Sequence, residues 1–418
     1  MSEQIENNIV SAESDTSNKK NKKSLIPVEN QEEKSSKKKK TPRDSNTKDE
    51  SLLRNLAEEI NKENKDGGKL AFFLDEKEDP SNITDWISTG SSLLDLAISN
   101  RPNGGLPVGR MAEFHGLEGT NKSLICANIM ANTQKKGGLP IYIDTENAAA
   151  PEFWKSLGVD VSKMMYIPCE TVEEIFEVIE KSIVKVKSKN PDLLLSIVVD
   201  SVAAASTSVE QASTYAKDGF ATTKSIVLSK AMRKITNMLG RQKVLIVFTN
   251  QVRQNIGGGP FSEKFVVSGG KALAFHCSVR VKLSNIGKIK NAEKEVIGKE
   301  CQAKVIKTRF GPPDRVVDFQ VYFDSGIADY ASWIDVLKKY EHITGSKSPY
   351  KYMANDGTEY VIHTREFVKL LTENPILKEE LYNKICDSYI MKYKDPNSKI
   401  VEDAEIVVGD DDDAVADE

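Results

Sequence analysis

The octapeptide Gly116-Leu117-Glu118-Gly119-Thr120-Asn121-Lys122-Ser123 constrains this chain more than any other segment. It lies between a strand-like run, Met111–Phe114, and a helical pattern over Leu124–Thr133. In that context G-x-x-x-x-G-K-[ST] forms a nest of backbone N–H groups at a helix N-terminus, and such a nest holds a polyphosphate. Lys122 then reaches the β- and γ-phosphates, and the Ser123 hydroxyl ligates magnesium. One position departs from the pattern: Asn121 stands where the second glycine belongs. If that position needs a positive φ, asparagine is the least costly replacement, although its side chain crowds the loop. Taken alone, the octapeptide fits a surface loop as well as a phosphate loop.

Three further strand ends change that balance. The apolar run Leu193–Val199 closes on Asp200, a carboxylate placed to hold magnesium through water. Ile141–Asp144 is followed by Thr145-Glu146, and Glu146 is a candidate general base for the water that attacks a γ-phosphate. Thr249-Asn250-Gln251 ends another strand with polar amides, where a γ-phosphate sensor belongs. Each has an ordinary explanation by itself, as a capped buried strand or a solvated strand end. Together they put phosphate chemistry on the carboxyl edge of one parallel sheet, the expected ligand position, and imply an ATP and magnesium site.

The organisation around these motifs is that of an α/β fold. Residues 83–332 alternate short β-rich runs with longer helical stretches, the pattern of a largely parallel sheet. The predicted strands are Met111–Phe114, Leu139–Asp144, Leu194–Asp200 and Val244–Asn250, then Val279–Leu283, Ala303–Lys307 and Phe319–Phe323. Glu173–Val186 and Thr222–Leu239 are helical in pattern. Two low-apolar stretches, Glu210–Gly219 and Asn255–Gly270, interrupt the order, and loops of that length are functional or disordered. Residues 1–48 read as a disordered basic arm that includes Lys37–Lys40. In 49–82, Leu52, Leu53, Leu56 and Ile60 recur at helical spacing and Leu70–Leu74 reads as a short strand. Such an element either folds back on its own domain or docks on a neighbouring copy. Residues 333–396 form a final small α/β lobe, with helices at Trp333–Lys339, Thr364–Thr372 and Lys378–Tyr393 and a hairpin around Tyr350–Tyr360. Residues 397–418 are an acidic disordered tail containing Asp410–Asp413.

Composition narrows the class without choosing the function. The 418 residues are 39% apolar, enough for one large core and a smaller lobe. The five cysteines are odd in number and never in C-x-x-C spacing, which argues for reduced thiols in a cytoplasmic setting and against a zinc site. No apolar run approaches the length of a membrane span, and the N-terminus has no apolar signal region, so no membrane partner is expected. A net charge of −4 does not by itself point to nucleic acid.

From about Ser51 to about Asp395 the chain resembles the bacterial RecA recombinase family. The resemblance is carried by Thr89–Asp95 with Gly104–Arg110 leading into the phosphate loop, and by Pro151-Glu152-Phe153 with Leu157–Asp160 after Glu146. Val199–Ala204, Ala231–Lys234, Asn250–Arg253 and Ser268–Leu273 carry the rest. It implies a RecA-like ATPase core that forms helical filaments on single-stranded DNA and pairs them with homologous duplex DNA, with single-strand-binding or loading proteins as further partners. It implies Glu146 as hydrolytic base and Gln251 as the sensor joining γ-phosphate to the second DNA loop. Lys307 and Arg309 fall where the family has two lysines that reach a neighbour's ATP, and an arginine fork suits phosphate oxygens. The stretches Glu210–Gly219 and Asn255–Gly270 correspond to DNA-binding loops, with Lys224, Arg233, Arg253 and the amides of Gly269 and Gly270 as backbone contacts. The helix and strand of 49–82 resemble a polymerisation arm, and the acidic tail a regulatory end. Departures are Asn121, Ala150 in place of an aspartate near the adenine, Phe153 in place of a tyrosine, and the extra basic arm. They fit a diverged or phage-encoded member. A non-hydrolysing filament or mediator protein is the alternative that Asn121 motivates, and a RecA-fold helicase is a third.

Overall fold

In the computed structural model the chain forms two units, residues 1–72 and 73–418. The described residues are 43–64, 69–74, 76, 79, 82–148, 150–213, 220–240, 242–254, 265–267, 271–393 and 416–417. In the first unit a helix runs Arg43–Glu63, beginning before the expected boundary at residue 49. Leu52, Leu53, Leu56 and Ile60 all lie exposed on it. The expected strand at Leu70–Leu74 does not form. Instead the Asn61 side chain takes the backbone: its Oδ1 accepts from Leu70 N at 2.7 Å and Ala71 N at 2.8 Å, and its Nδ2 donates to Ala71 O at 3.0 Å. A lone strand with no ladder partner has nothing to stabilise it.

The second unit is built on one large sheet. Ahead of it, β1 (Trp86–Ile87) and β2 (Leu106–Pro107) make a small antiparallel pair. The sheet's parallel half comprises β3 (Met111–Gly116), β4 (Leu139–Asp144), β5 (Met165–Pro168), β6 (Leu195–Asp200) and β7 (Val244–Gln254). After the short β8 (Phe265–Val267) come β9 (Val279–Lys290), β10 (Val296–Thr308), β11 (Val316–Tyr322) and β12 (Gly326–Ala328). Their order across the sheet is β12-β11-β10-β9-β3-β7-β6-β4-β5. Pairings from β9 through β3 to β5 are parallel, and those from β9 outward to β12 antiparallel.

The central strands are apolar at successive positions because both faces are covered. On β7, Leu245 and Val247 join one buried cluster while Val244, Ile246 and Phe248 join the other. Helix Lys122–Lys135 sends Ile125 and Ile129 into the first cluster. Helices Val172–Lys189 and Phe220–Leu239 send Ile179, Ile183, Leu228 and Ile235 into the second.

The C-terminal elements are helices Trp333–Lys339, Phe367–Glu373 and Pro375–Tyr389 with the hairpin β13 (Tyr350–Met353) and β14 (Glu359–Ile362). Their buried residues Trp333, Leu337, Phe367 and Leu381 are continuous with the first core cluster. Polar ties add to the seam, among them Trp333 Nε1 donating to Ser92 Oγ at 2.7 Å.

Candidate active site

Register gathers the strand ends. Gly116 on β3 lies beside Gln251 on β7, and Asp144 on β4 lies beside Asp200 on β6. Chain reversals at these ends therefore converge at the carboxyl edge of the parallel half, where a doubly wound sheet presents its ligand site.

From Gly116 the chain turns into helix Lys122–Lys135. A Cβ at Gly116 would run into the Leu283 carbonyl, so only glycine fits. Asn121 is the helix N-cap in the left-handed region, φ 66 and ψ 26, and its side chain makes no capping bond. Lys122 is buried, and its Nζ donates to Gly116 O at 3.0 Å and Leu117 O at 2.8 Å. Burial lowers its pKa from the ordinary lysine value, against the pull of Asp200 and Glu146. An ammonium aimed back into its own loop is set where a polyphosphate would lie.

Asp200 is fixed from three sides. Its Oδ2 accepts from Ser123 Oγ at 2.6 Å and Tyr142 Oη at 2.7 Å, and its Oδ1 from Thr249 Oγ1 at 2.6 Å. The Ser123 hydroxyl and the Asp200 carboxylate present oxygen alone, the donor set a hard divalent cation takes when phosphates and water complete its shell. The residues present fit magnesium.

Glu146 is carried on a loop that Asp144 builds. Asp144 Oδ1 accepts from Glu146 N at 2.9 Å and Asn147 N at 3.0 Å, and its Oδ2 from Ala148 N at 3.0 Å. The Glu146 carboxylate in turn accepts from Ser201 Oγ at 3.1 Å and from Gln251 Nε2 at 3.3 Å. A carboxylate oriented by two donors and facing the loop lysine has the placement of a base for a water.

These groups line one cavity of about 420 Å³, with Phe153 and Phe323 also in its wall. Two aromatic rings supply flat surfaces for a base. Phe153 was expected there; Phe323, Ser201 and Lys299 were not. Phe323 and Lys299 come from the antiparallel half of the sheet, and no local motif announces them. The signal for Ser201 was present, since it directly follows the strand-ending carboxylate.

Other expected residues lie elsewhere. Lys307 is eight positions along β10 from Lys299, roughly 26 Å at the rise of an extended strand. Its Nζ donates to Ala274 O at 2.7 Å and Phe275 O at 3.1 Å. Burial lowers its pKa, and Arg309 adds to the shift. Arg309 is exposed. Neither belongs to the cavity of its own chain. Arg233 is exposed on helix Phe220–Leu239, whereas Lys224 is half-buried, its Nζ donating to Ala203 O at 2.9 Å. Gly269, Gly270 and the Arg253 side chain lie outside the described residues, as do most of the stretch Asn255–Gly270, residues 214–219, the basic arm through residue 42 and nearly all of the acidic tail. The start of Glu210–Gly219 belongs to a short helix, Ser208–Gln211, that Thr207 and Glu210 close as a capping box.

A family model described as the RecA N-terminal domain matches residues 54–328. The chain belongs to the RecA family. It is 33% identical to Protein RecA of Clostridium acetobutylicum over 356 residues, which is 84% of this chain and 97% of that protein. Against Protein RecA of Synechocystis the figures are 35% over 291 residues, covering 69% and 77%, and against that of Rhodopirellula baltica 30% over 361 residues, covering 85% and 91%. Among the described residues no helix is long and apolar enough to cross a membrane.

Proposed function

We propose that this chain is an ATP-dependent recombinase that assembles on single-stranded DNA, pairs it with a homologous duplex and exchanges strands. The carrying observation is Glu146, held by Ser201 and Gln251 in the same cavity as Lys122, Ser123 and Asp200. A cavity built only to hold nucleotide has no need of an oriented base.

Lys122 and the amides of Gly116, Leu117, Glu118, Gly119, Thr120 and Asn121 take the phosphates, and Phe153 and Phe323 take the base. Ser123 and, through water, Asp200 would hold magnesium, which would supply positive charge against the phosphates. Glu146 then accepts the proton of the attacking water. Lys307 near the end of β10 and Arg309 just beyond it stand too far from Lys299 to serve their own cavity, which suits a role at the cavity of an adjacent protomer. Gln251 touches Glu146, and its strand runs on through Gln254 into the stretch assigned to DNA. A change at the γ-phosphate therefore has a short covalent path to Arg253, and Val252 pairs with Val267 of β8, two positions before Gly269 in sequence. Lys224 and Arg233, on the helix after the other stretch, are the remaining backbone contacts.

Two substitutions test the reading. Lys122→Ala should abolish ATP binding and phosphate release together. Glu146→Gln should slow phosphate release by about 10²–10⁴-fold while ATP-dependent filaments persist in electron micrographs. Undiminished hydrolysis by Glu146→Gln would remove that residue from the chemistry.

A further inference from the structure

The side chain of Asn121 is held on the outside of the phosphate loop. Its Nδ2 donates to Cys301 Sγ at 2.8 Å. Cys301 is fully buried on β10, directly across the ladder from Asn285 on β9. The Cys301 thiol donates to Asn285 Oδ1 at 3.7 Å, and Asn285 Nδ2 donates to Gly119 O at 3.0 Å. Through the loop backbone from Gly119 to Asn121 these contacts close into a ring. Lys299 Nζ, at 3.0 Å, is a second donor to the same Gly119 carbonyl.

The ring has a consequence for the loop amides. Across a trans peptide the C=O of one residue and the N–H of the next point in opposite directions. A Gly119 carbonyl held toward β9 and β10 therefore turns the Thr120 N–H away from them. Amides aimed in this way make the concave nest that a phosphate needs. A glycine at position 121 would have no side chain for the strands to hold.

We propose that Asn285 and Cys301 are positioning residues for nucleotide, gripping the loop through Gly119 and through the asparagine that replaces its second glycine. The inference rests on reading the cavity as an ATP site. It predicts energetic coupling between positions 121 and 301, which a residue that merely fills space beneath the loop would not show.

The test is a cycle on the full chain, measuring the Kd of a fluorescently labelled ADP with magnesium alongside thermal stability. Losing the short hydrogen bond from Asn121 should weaken binding about 2–12-fold, so Cys301→Ala, which also loses the long contact to Asn285, should weaken it by at least about 2-fold. Cys301→Ser, which restores a donor and an acceptor, should stay within about 2-fold of wild type. In an Asn121→Gly background the grip on the side chain is already gone and only the long 3.7 Å thiol contact to Asn285 is left to lose, so Cys301→Ala should change Kd by less than about 2-fold. Equal factors in the two backgrounds, or no factor in either, overturn the proposal. If Cys301→Ala yields no folded protein, Asn285→Ala at an exposed strand position carries the test: weaker binding at unchanged Tm supports it, and an unchanged Kd overturns it. Wild type that binds no labelled ADP would instead overturn the reading of the cavity itself, and the grip with it.

Discussion

His115, which immediately precedes the phosphate loop on β3, is buried, and among the described residues neither ring nitrogen has a hydrogen-bond partner. Burial pushes its pKa down from 6.5 to about 4, against the pull of Glu113 and with help from Arg280 and Lys282. The folded value lies below the unfolded one, so as pH falls the unfolded chain takes the proton first and stability is lost between about 6.5 and 4. The loss attributable to this residue is on the order of 3 kcal/mol. His115→Phe should therefore gain stability relative to wild type across that window in urea titrations, whereas parallel curves would contradict the assignment. Burial raises Asp95 to about 7 and Asp329 to about 6, an effect of opposite sense that is common to both proteins and cancels in the difference. Beside His115, the Glu113 carboxylate accepts from Arg280 Nε at 2.6 Å and from Asn250 Nδ2 at 3.0 Å. Burial pushes that carboxyl up, and Arg280 with His115 and the hydrogen bonds holds it below its usual value. Arg280→Ala leaves a buried charge uncompensated and should cost about 3–5 kcal/mol of stability.

Elements were legible where a strand is buried on both faces. The strand at Leu139–Asp144 is legible in the sequence to the residue, and β6 to within one, because a continuous apolar run stops at a carboxylate. β9 and β10 run well past their apolar segments: the distal part of β9, Ile286–Lys290, alternates exposed and half-buried, and hydrophobicity carries no mark of it. The edge strand β5 was missed for a related reason, since Met165, Tyr166 and Pro168 are exposed and Ile167 only half-buried. The site divides in the same way. Lys122, Asp200 and Glu146 sit in consecutive motifs, whereas Asn285, Lys299, Cys301 and Phe323 reach the loop only through pairing of strands more than a hundred residues away. The N-terminal helix makes its own prediction. Its exposed Leu52 and Leu56 are the apolar surface that docking on another copy would bury. Burying a leucine is worth about 1.5–3 kcal/mol, so Leu52→Glu with Leu56→Glu should weaken self-association more than tenfold in sedimentation while labelled-ADP binding is retained. Unchanged sedimentation would return that helix to its own domain.

At the scale of the whole molecule nucleotide, DNA and assembly are linked in the proposed function. In the proposed function nucleotide would meet Glu146 and Gln251, Gln251 stands on the strand that leads into the proposed DNA stretch, and Lys307 and Arg309 would serve a neighbour's cavity. Whatever favours the ATP-bound state must then favour DNA-bound filament, and DNA must favour ATP by the same factor. The most direct measurement follows phosphate release and strand exchange in one reaction, with ATP, magnesium, and a homologous duplex, in the presence and absence of a long single strand. The account predicts that the single strand raises phosphate release at least tenfold and that exchanged product accumulates. A release rate indifferent to the single strand, with no exchanged product, would contradict it.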